Sequence, residues 1–221
     1  MFVHLDNLIP LPIKSVDGPK GRHYTTPEGN KYPSITTILG HGEKVWLKDW
    51  RDSLGAINAD KEVKRATDRG TAVHLMLERQ LQNDPNPTIG QHIDHITEFK
   101  SLKLHIRFLN NILLQEAALY SNLLKIAGRV DCIAEYKGKL AVVDFKTATR
   151  SKSEQLIQDY FLQTTAYALM VEEIYDIHIE DIVIIMSVER GVPMLFTGKV
   201  DDYIYPLIKR INTYYVAIGA K

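Results

Sequence analysis

The stretch AGRVDCIAEYKGKLAVVDFKTA, residues 127–148, places charged side chains inside two apolar segments of strand character. Asp131 lies in the first segment, and Asp144 and Lys146 lie in the second. A carboxylate in a half-buried strand is unfavourable by several kcal/mol unless it is paired with a cation or binds a metal ion. The stretch therefore limits the chain to folds in which these acids meet a partner.

The two segments are expected to form a β-hairpin around Lys137-Gly138, because glycine accepts the positive φ of a tight turn. Opposed residues in that hairpin have numbers that sum to 275, so Asp131 faces Asp144 and Arg129 faces Lys146. The period of two puts these four residues on one face. The remaining members of that face are Ile133 and Val142, and the apolar face is formed by Val130, Cys132, Ala134, Ala141, Val143 and Phe145.

Two opposed carboxylates raise each other's pKa unless a cation lies between them, since opposed Cβ atoms are only about 5 Å apart. A divalent ion with oxygen ligands, Mg²⁺ or Mn²⁺, resolves this conflict. Lys146 can then orient a water molecule or stabilise charge that develops on a phosphate. The alternative is a salt bridge of Asp144 with Lys146 at a strand end, but such a pair does not need Asp131 opposite.

The pattern along the chain predicts an α/β fold with one mixed sheet flanked by helices, in the order α-β-β-β-α-β. We expect the first 20 residues to be irregular, a hairpin over 23–34 and helical structure over 45–81. A second helix with an apolar face that runs from Ile89 to Leu109 should be followed by strands at roughly 112–120, 127–136 and 139–147. A helix at 153–175, strands at 181–188 and 193–200, and a closing helix from Asp202 complete the expected core. Residues 1–88 are assigned to an N-terminal hairpin and helical lobe, and residues 89–221 to the core.

Composition excludes several classes of protein. The formal net charge is zero, so any nucleic-acid surface would have to be local. The single cysteine, Cys132, excludes an internal disulfide and an iron–sulfur cluster held by cysteines. No apolar run approaches the ~20 residues of a membrane span, and no presequence pattern is visible at the N-terminus. We therefore expect a cytoplasmic protein without membrane contact.

Six segments in order resemble the RecB-like branch of the PD-(D/E)XK nuclease superfamily. They are YPSITTIL, the helical stretch that ends in RGTAVH, the acidic strand QEAALYS, AGRVD, VVDFKT and YFLQTTAY. The resemblance covers about Tyr24 to Tyr175 and implies a restriction-endonuclease-like core with metal-dependent cleavage of DNA. It further implies an exonuclease with a preference for single strands, acting in phage or bacterial DNA replication, recombination or repair.

The resemblance also implies roles for individual residues. His74, Asp131, Asp144 and the carbonyl of Phe145 would hold Mg²⁺ or Mn²⁺. The catalytic set would be Glu116, Asp131, Asp144, Lys146, Gln163 and Tyr167. Taken without the resemblance, His74 and Tyr167 would be assigned to helix packing, and Glu116 would be a half-exposed strand residue.

The sequence gives weaker indications for the residues that contact the substrate than for the residues that bind the metal. The expected DNA contacts are Arg69, Arg129, Thr147, Arg150 and Lys152. The helical lobe could form an arch over a single strand with Trp46, Trp50 or Tyr32 stacking on bases, or it could be an ordinary solvated face. Expected partners are single-stranded DNA or DNA ends, and replication or recombination proteins. Two alternatives stay open: a structure-specific endonuclease on the same core, and a DNA-end-binding protein with little turnover.

Overall fold

The computed structural model describes residues 1–5, 8–42 and 45–219. The side chain of Trp46, one of the residues expected to stack on bases, lies outside the described part of the chain. Among the described residues, no helix is both long enough and apolar enough to cross a membrane.

A small antiparallel sheet opens the fold. Its strands are β1 (Lys14–Gly18), β2 (Gly21–Thr25) and β3 (Lys31–Pro33), in the order β1-β2-β3. The hairpin expected over 23–34 is confirmed, but the expectation that the first 20 residues are irregular is wrong for β1. Every residue of β1 is exposed, so backbone hydrogen bonds to β2 hold the strand and no apolar alternation marks it in the sequence.

Four helices follow before the main sheet: α1 (Ile35–Leu39), α2 (Val45–Leu54), α3 (Ala56–Leu81) and α4 (Ile93–Ile106). The Ser34 hydroxyl caps α1 by accepting from the Thr37 backbone N at 3.0 Å, as an N-cap serine does. The helical segment predicted for 45–81 is divided at Gly55, whose φ of 75° lies outside the right-handed helical region.

The main sheet contains five strands: β4 (Leu109–Ser121), β5 (Ile126–Tyr136), β6 (Lys139–Ala148), β7 (Asp181–Val188) and β8 (Met194–Lys199). They lie in the order β4-β5-β6-β7-β8, with β6 and β7 parallel and the other neighbours antiparallel. One turn of 3₁₀ helix (Glu154–Ile157) leads into α5 (Gln158–Tyr175), which makes the crossover from β6 to β7, and α6 (Val200–Ala217) closes the chain. The predicted α/β class and the order α-β-β-β-α-β are confirmed.

Each face of the main sheet carries its own apolar core. On one face, Ile133, Val142 and Ile184 pack with residues of α1, α5 and α6, among them Ile38, Phe161 and Leu207. On the other face, Cys132, Val143 and Phe145 pack with α3 and α4 through residues such as Val73, Met76 and Phe99. The helices α3 and α5 therefore cover opposite faces of the same hairpin, and residues at the end of its paired region lie between them.

The hairpin has the predicted register from Tyr136↔Lys139 to Cys132↔Val143, with every pair of numbers summing to 275. One facing assignment is wrong: Val130 packs in the α5 core, although Cys132 packs in the α3 core. The alternation of faces is broken between these two residues, at Asp131. A strict period of two could not anticipate this, because it assumes a regular pleat.

The helix α3 is fixed to the sheet by a buried arginine. Arg69 is only 3% exposed, and its Nη1 donates to Glu189 Oε2 at 2.7 Å. Its Nη2 donates to Thr149 Oγ1 at 3.3 Å, and its Nε lies 3.9 Å from Glu98 Oε1. Thr149 and Glu189 directly follow the parallel strands β6 and β7, so Arg69 binds the ends of both strands.

Replacing Arg69 by Met should lower the free energy of unfolding by about 2–4 kcal/mol, because the buried Glu98 would lose its cation and Glu189 would keep only its pair with Arg65. Urea denaturation measures the change. The matched control is Lys64→Met on the exposed surface of the same helix, where the pair with Asp68 contributes only about 0.5 kcal/mol. Equal effects of the two substitutions would contradict a structural role for Arg69.

Candidate active site

Strands β5 and β6 stop pairing at the positions of Asp131 and Asp144. The β5–β6 ladder ends at Cys132↔Val143, one residue before Asp131 and Asp144 would pair. Beyond that point the Asp131 Oδ2 accepts a hydrogen bond from the Phe145 backbone N at 2.8 Å. A side-chain carboxylate thus takes the place of a backbone carbonyl, and a polar opening forms between the strands.

Glu116 lies across the neighbouring strand from Asp131. The β4–β5 ladder is paired at Gln115↔Cys132 and at Ala117↔Val130 but not between them, where Glu116 and Asp131 oppose each other. Glu116 has a φ of 48°, a left-handed conformation that is uncommon for residues other than glycine. The interruption changes which face each strand presents, and it places two carboxylates side by side.

His74 joins these two acids from α3. The side-chain ligand atoms of His74, Glu116 and Asp131 all lie within 4.8 Å of one another, and each side chain is partly exposed. His74 Nδ1 is 3.7 Å from Asp131 Oδ2, and its ring makes an edge contact with Phe145 at 6.4 Å between centroids. One imidazole and two carboxylates within this distance form a donor set that suits a divalent metal ion.

A second polar group forms on the α5 side of the opening. Asp144 is fully buried, and its Oδ2 is in ion-pair contact with Lys146 Nζ. Its Oδ1 accepts from Gln163 Nε2 at 3.4 Å, and the same amide nitrogen donates to Tyr167 Oη at 3.1 Å. Gln163 and Tyr167 are four residues apart on α5, so they share one face of the helix and reach the same acid.

The charges of the site are unbalanced toward the negative. Burial raises the pKa of Glu116 to about 7, and the neighbouring Asp131 and Glu78 add to the shift. Burial raises the pKa of Asp144 to about 6, although Lys146 opposes this, and Asp131 adds to it. The pKa of Lys146 is also raised, because Asp144 and Asp131 outweigh the effect of its burial. Burial is therefore the main cause of the raised pKa values of the two acids, and repulsion from Asp131 adds to it for both.

The arrangement suits a divalent cation. Asp144 Oδ2 is buried and contacts Lys146 without hydrogen-bond geometry, so a buried oxygen has unused acceptor capacity. His74, Glu116 and Asp131 supply a nitrogen and carboxylate oxygens, and a cation among them would relieve the mutual repulsion of the acids. Asp144 does not belong to that three-residue cluster. Its predicted role as a metal ligand therefore stays a prediction.

The five residues predicted to contact DNA differ in how exposed they are and in what they contact. Arg129 is exposed, with its Nη1 3.9 Å from Glu116 Oε2, and Arg150 is exposed just beyond β6. Thr147 is half-buried, and Lys152 donates to Tyr160 Oη at 2.8 Å. Arg69 is buried in the ion pair described above. Arg129 lies beside the acids, whereas Arg69 is engaged within the fold, and contact of any of the five with DNA remains a prediction.

Sequence reasoning missed Gly128 and Tyr160. A Cβ on Gly128 would lie 2.6 Å from Cε1 and 3.2 Å from Oη of Tyr167, so only glycine leaves room for this ring. Tyr160 lies beneath two lysines, with Lys146 Nζ 5.1 Å and Lys152 Nζ 5.0 Å from the ring centroid. The glycine in AGRVD was a usable signal, since glycine inside a strand often marks a close approach of another group. Nothing in the sequence distinguished Tyr160 from the other packing residues of its helix.

The sequence of this chain is similar to the sequences of known nucleases. Residues 87–183 match the PD-(D/E)XK nuclease superfamily, so the resemblance found in the sequence is confirmed over this segment. The chain is also 27% identical over 177 residues to mouse mitochondrial genome maintenance exonuclease 1, a match that covers 74% of this chain and 52% of the mouse protein. The human protein is 26% identical over 180 residues, with 74% and 51% covered.

The frog relative extends the match further along the chain. Mitochondrial genome maintenance exonuclease 1 of Xenopus tropicalis is 26% identical over 212 residues, which cover 85% of this chain and 58% of the frog protein. The chain spans about half the length of these relatives. A crystal structure of a candidate exonuclease from Eubacterium rectale superposes with a TM-score of 0.46 and 10% identity over 69% of each chain.

The raised pKa of Glu116 predicts how the metal-free protein responds to pH. The folded state binds this proton more tightly than the unfolded chain, where the carboxyl has its ordinary pKa of 4.5. Stability from this group is therefore complete below pH 4.5 and is lost as the pH rises to about 7. In the wild type the free energy of unfolding should fall by an amount on the order of 2–3 kcal/mol across this pH range, and in Glu116→Gln this decrease should be absent.

Chemical denaturation in EDTA at several pH values measures this difference. Asp144 adds a slope of the same sign in both proteins, because its pKa is also raised, so the comparison isolates Glu116. Glu135→Gln, on the same strand as Asp131, is the control for the replacement of a carboxyl group by an amide. Parallel curves for wild type and Glu116→Gln would contradict the raised pKa.

Gly128→Ala should displace Tyr167, because the new methyl group would overlap the ring. We expect a loss of about 1–3 kcal/mol from overpacking. Gln163 would also lose the position at which it donates to Asp144, so activity should fall more than stability explains. Denaturation and cleavage assays test the two effects, with Gly18→Ala at the exposed end of β1, where the nearest atom to an added Cβ is 3.8 Å away, as a control for glycine replacement. Full activity of Gly128→Ala would show that the position of Tyr167 is unimportant.

Proposed function

We propose that the protein is a metal-dependent deoxyribonuclease that hydrolyses phosphodiester bonds at the opening between β5 and β6. The observation that carries the proposal is the convergence of His74, Glu116 and Asp131 beside the Asp144–Lys146 pair. A structural ion pair would need one acid for Lys146, whereas three acids are gathered here. The superfamily match over residues 87–183 and the similarity to exonucleases support the same assignment.

The metal would be held by His74, Asp131 and Asp144 with the carbonyl of Phe145, and Glu116 lies close enough to His74 and Asp131 to contribute. Mg²⁺ or Mn²⁺ in this site would supply Lewis-acid stabilisation of negative charge on the phosphate. Asp131 also fixes the position of Phe145 by accepting from its backbone N. A change at Asp131 would therefore disturb both the ligand set and the local backbone.

Lys146 acts in this proposal as a charged donor. Burial lowers the pKa of its ammonium group, but Asp144 and Asp131 outweigh this and raise it, which favours the protonated side chain in the metal-free protein. A protonated Lys146 can orient the attacking water by donation and can stabilise charge on a phosphate oxygen. Gln163 holds Asp144 from the other side, which keeps the acid and the lysine in register.

The finer assignment is an exonuclease that prefers single-stranded DNA. The names of the relatives support exonuclease action, and the resemblance in the sequence supports the strand preference. Action in phage or bacterial DNA replication, recombination or repair, in the host cytoplasm and with proteins of those processes, belongs to the same proposal and rests on the sequence resemblance. Contacts from Arg69, Arg129, Thr147, Arg150 and Lys152 to DNA are proposed on the same basis.

Purified wild type and Lys146→Ala should be compared on linear and circular single-stranded DNA with Mg²⁺, Mn²⁺ or EDTA. We expect degradation of the linear strand only, abolished by EDTA and reduced at least about 100-fold by the substitution, because one stabilising donor contributes this much in comparable sites. Lys20→Ala, which removes an exposed lysine from the turn between β1 and β2, is the control and should cleave as the wild type does.

Other outcomes select the alternatives. Cleavage of circles would identify an endonuclease on the same core. DNA binding that survives EDTA, without cleavage in any metal, would identify an end-binding protein in which the acids serve another purpose.

A further inference from the structure

A basic patch lies at the end of the β5–β6 hairpin that is remote from the acids. It consists of five cations from the C-terminal half of α4, its C-cap and the hairpin turn: Lys100, Lys103, Arg107, Lys137 and Lys139. Two of them, Arg107 and Lys137, lie over the ring of the partly exposed Phe108. Each of these five side chains belongs to an exposed residue, and none forms an ion pair with an acid in the described ranges of the chain. The nearest acid along β5, Glu135, instead accepts a hydrogen bond from Asn111 Nδ2 at 2.9 Å.

The patch is built into the fold. The Lys137 backbone N donates to the Phe108 carbonyl at 3.0 Å, which joins the hairpin turn to the chain just after α4. The Phe108 ring then carries two cations, with Arg107 Cζ at 4.7 Å and Lys137 Nζ at 5.1 Å from its centroid. The ring is itself packed edge-on against Tyr136, 6.1 Å between centroids. Phe108 therefore fixes an arginine and a lysine from different elements beside each other.

This grouping is unfavourable for the isolated protein. Like charges held on one ring repel, and each exposed cation–π contact returns only about 0.5–1 kcal/mol. Lys137 also adopts a left-handed φ of 53°, where glycine or asparagine is favoured. Burial lowers the pKa of the adjacent His105, and the charges of Lys137 and Arg107 lower it further. The local potential is thus positive, because these cations lie together without an acid paired to them among the described residues.

Attraction to the C-terminus of α4 explains only part of the patch. Lys103 and His105 lie in the last turn of that helix, and Arg107 is its C-cap, where cations are favoured. Lys137 and Lys139 belong to the hairpin and not to that helix. Two unrelated elements contribute cations to one surface of a chain whose formal net charge is zero.

The patch is too far from the acids to act on the same phosphate. Lys139 and Lys146 are seven residues apart along β6, so their backbones are separated by roughly 23 Å at the usual rise of a strand. A duplex advances by about 3.4 Å per base pair, so this separation corresponds to roughly seven base pairs. A polyanion that reached both sites would have to be an extended one.

We propose that the basic patch binds the sugar-phosphate backbone of the DNA substrate at a distance from the acids, and that Phe108 holds Arg107 and Lys137 as a phosphate clamp. This inference rests on the proposed function for its choice of DNA as the polyanion. Planar guanidinium and compact ammonium groups both bind phosphate oxygens, and no base-reading group is needed. The patch should therefore increase affinity for long DNA irrespective of sequence.

Binding is measured in EDTA, so that cleavage plays no part, by fluorescence anisotropy with labelled single-stranded DNA of about 30 and about 6 nucleotides. The variant carries Lys103→Gln, Arg107→Gln and Lys137→Gln together. We expect its Kd for the long strand to rise at least about tenfold, and the slope of log K against log salt to decrease by about two, since each neutralised phosphate contact on a single strand contributes about 0.7. The Kd for the short strand should rise as well, because in EDTA the acids repel DNA and the patch is its proposed contact.

The matched control carries Lys14→Gln, Lys20→Gln and Lys31→Gln, which remove the same charge from exposed positions on or beside the small N-terminal sheet. Phe108→Leu tests the clamp separately, because it leaves every charge in place and removes the ring. Equal losses in the two triple variants, or an unchanged Kd in the patch variant, would overturn the inference, as would binding to phosphatidylserine vesicles with no effect on DNA. Circular dichroism confirms that each variant is folded.

The outcomes separate this inference from the proposed function. If the protein cleaves DNA with a metal ion but the patch variant binds DNA as the wild type does, only the DNA-binding role of the patch is rejected. If DNA binding depends on the patch but no metal ion supports cleavage, the role of the patch is kept and the nuclease assignment is rejected.

Discussion

The hydrogen bond from the Phe145 backbone N to Asp131 is the contact on which the site depends. It replaces a ladder bond at the point where β5 and β6 separate, so the strands open without leaving that backbone donor unsatisfied. Glu116 and Asp144 then reach the same opening, one from β4 and the other from within β6. Without this substitution of side chain for backbone, a regular ladder would keep the two strands closed at this point.

Helices on both faces turn that opening into a defined site. The helix α3 supplies His74 and is fixed to the strand ends by Arg69, while α5 supplies Gln163 and Tyr167 to the buried Asp144. Gly128 has no side chain, and this leaves room on β5 for the Tyr167 ring of α5. The stability of the core and the geometry of the acids are therefore coupled, because the same helices pack both apolar cores.

The hairpin also connects two regions of opposite charge. Its paired end carries the turn with Lys137 and Lys139, and its open end carries Asp131 and Asp144. An anionic polymer would be attracted at the turn and repelled at the acids until a cation was bound there. The cations at the turn could then bind a chain of phosphates, while the acids at the other end are proposed to perform the chemistry.

The sequence by itself determined the α/β class, the hairpin register and the identity of the acids, because these follow from local periodicity and from a turn that accepts only certain residues. It suggested His74 and Glu116 through the family resemblance. The tertiary structure alone decided that Glu116, rather than Asp144, opposes Asp131 across a paired strand, and that Val130 turns to the other face. It alone decided that Arg69 is buried against Glu189 and that Tyr160 lies under Lys146. These contacts join residues that are far apart in the chain, or they depend on an interruption of the pleat. Local sequence patterns predict neither.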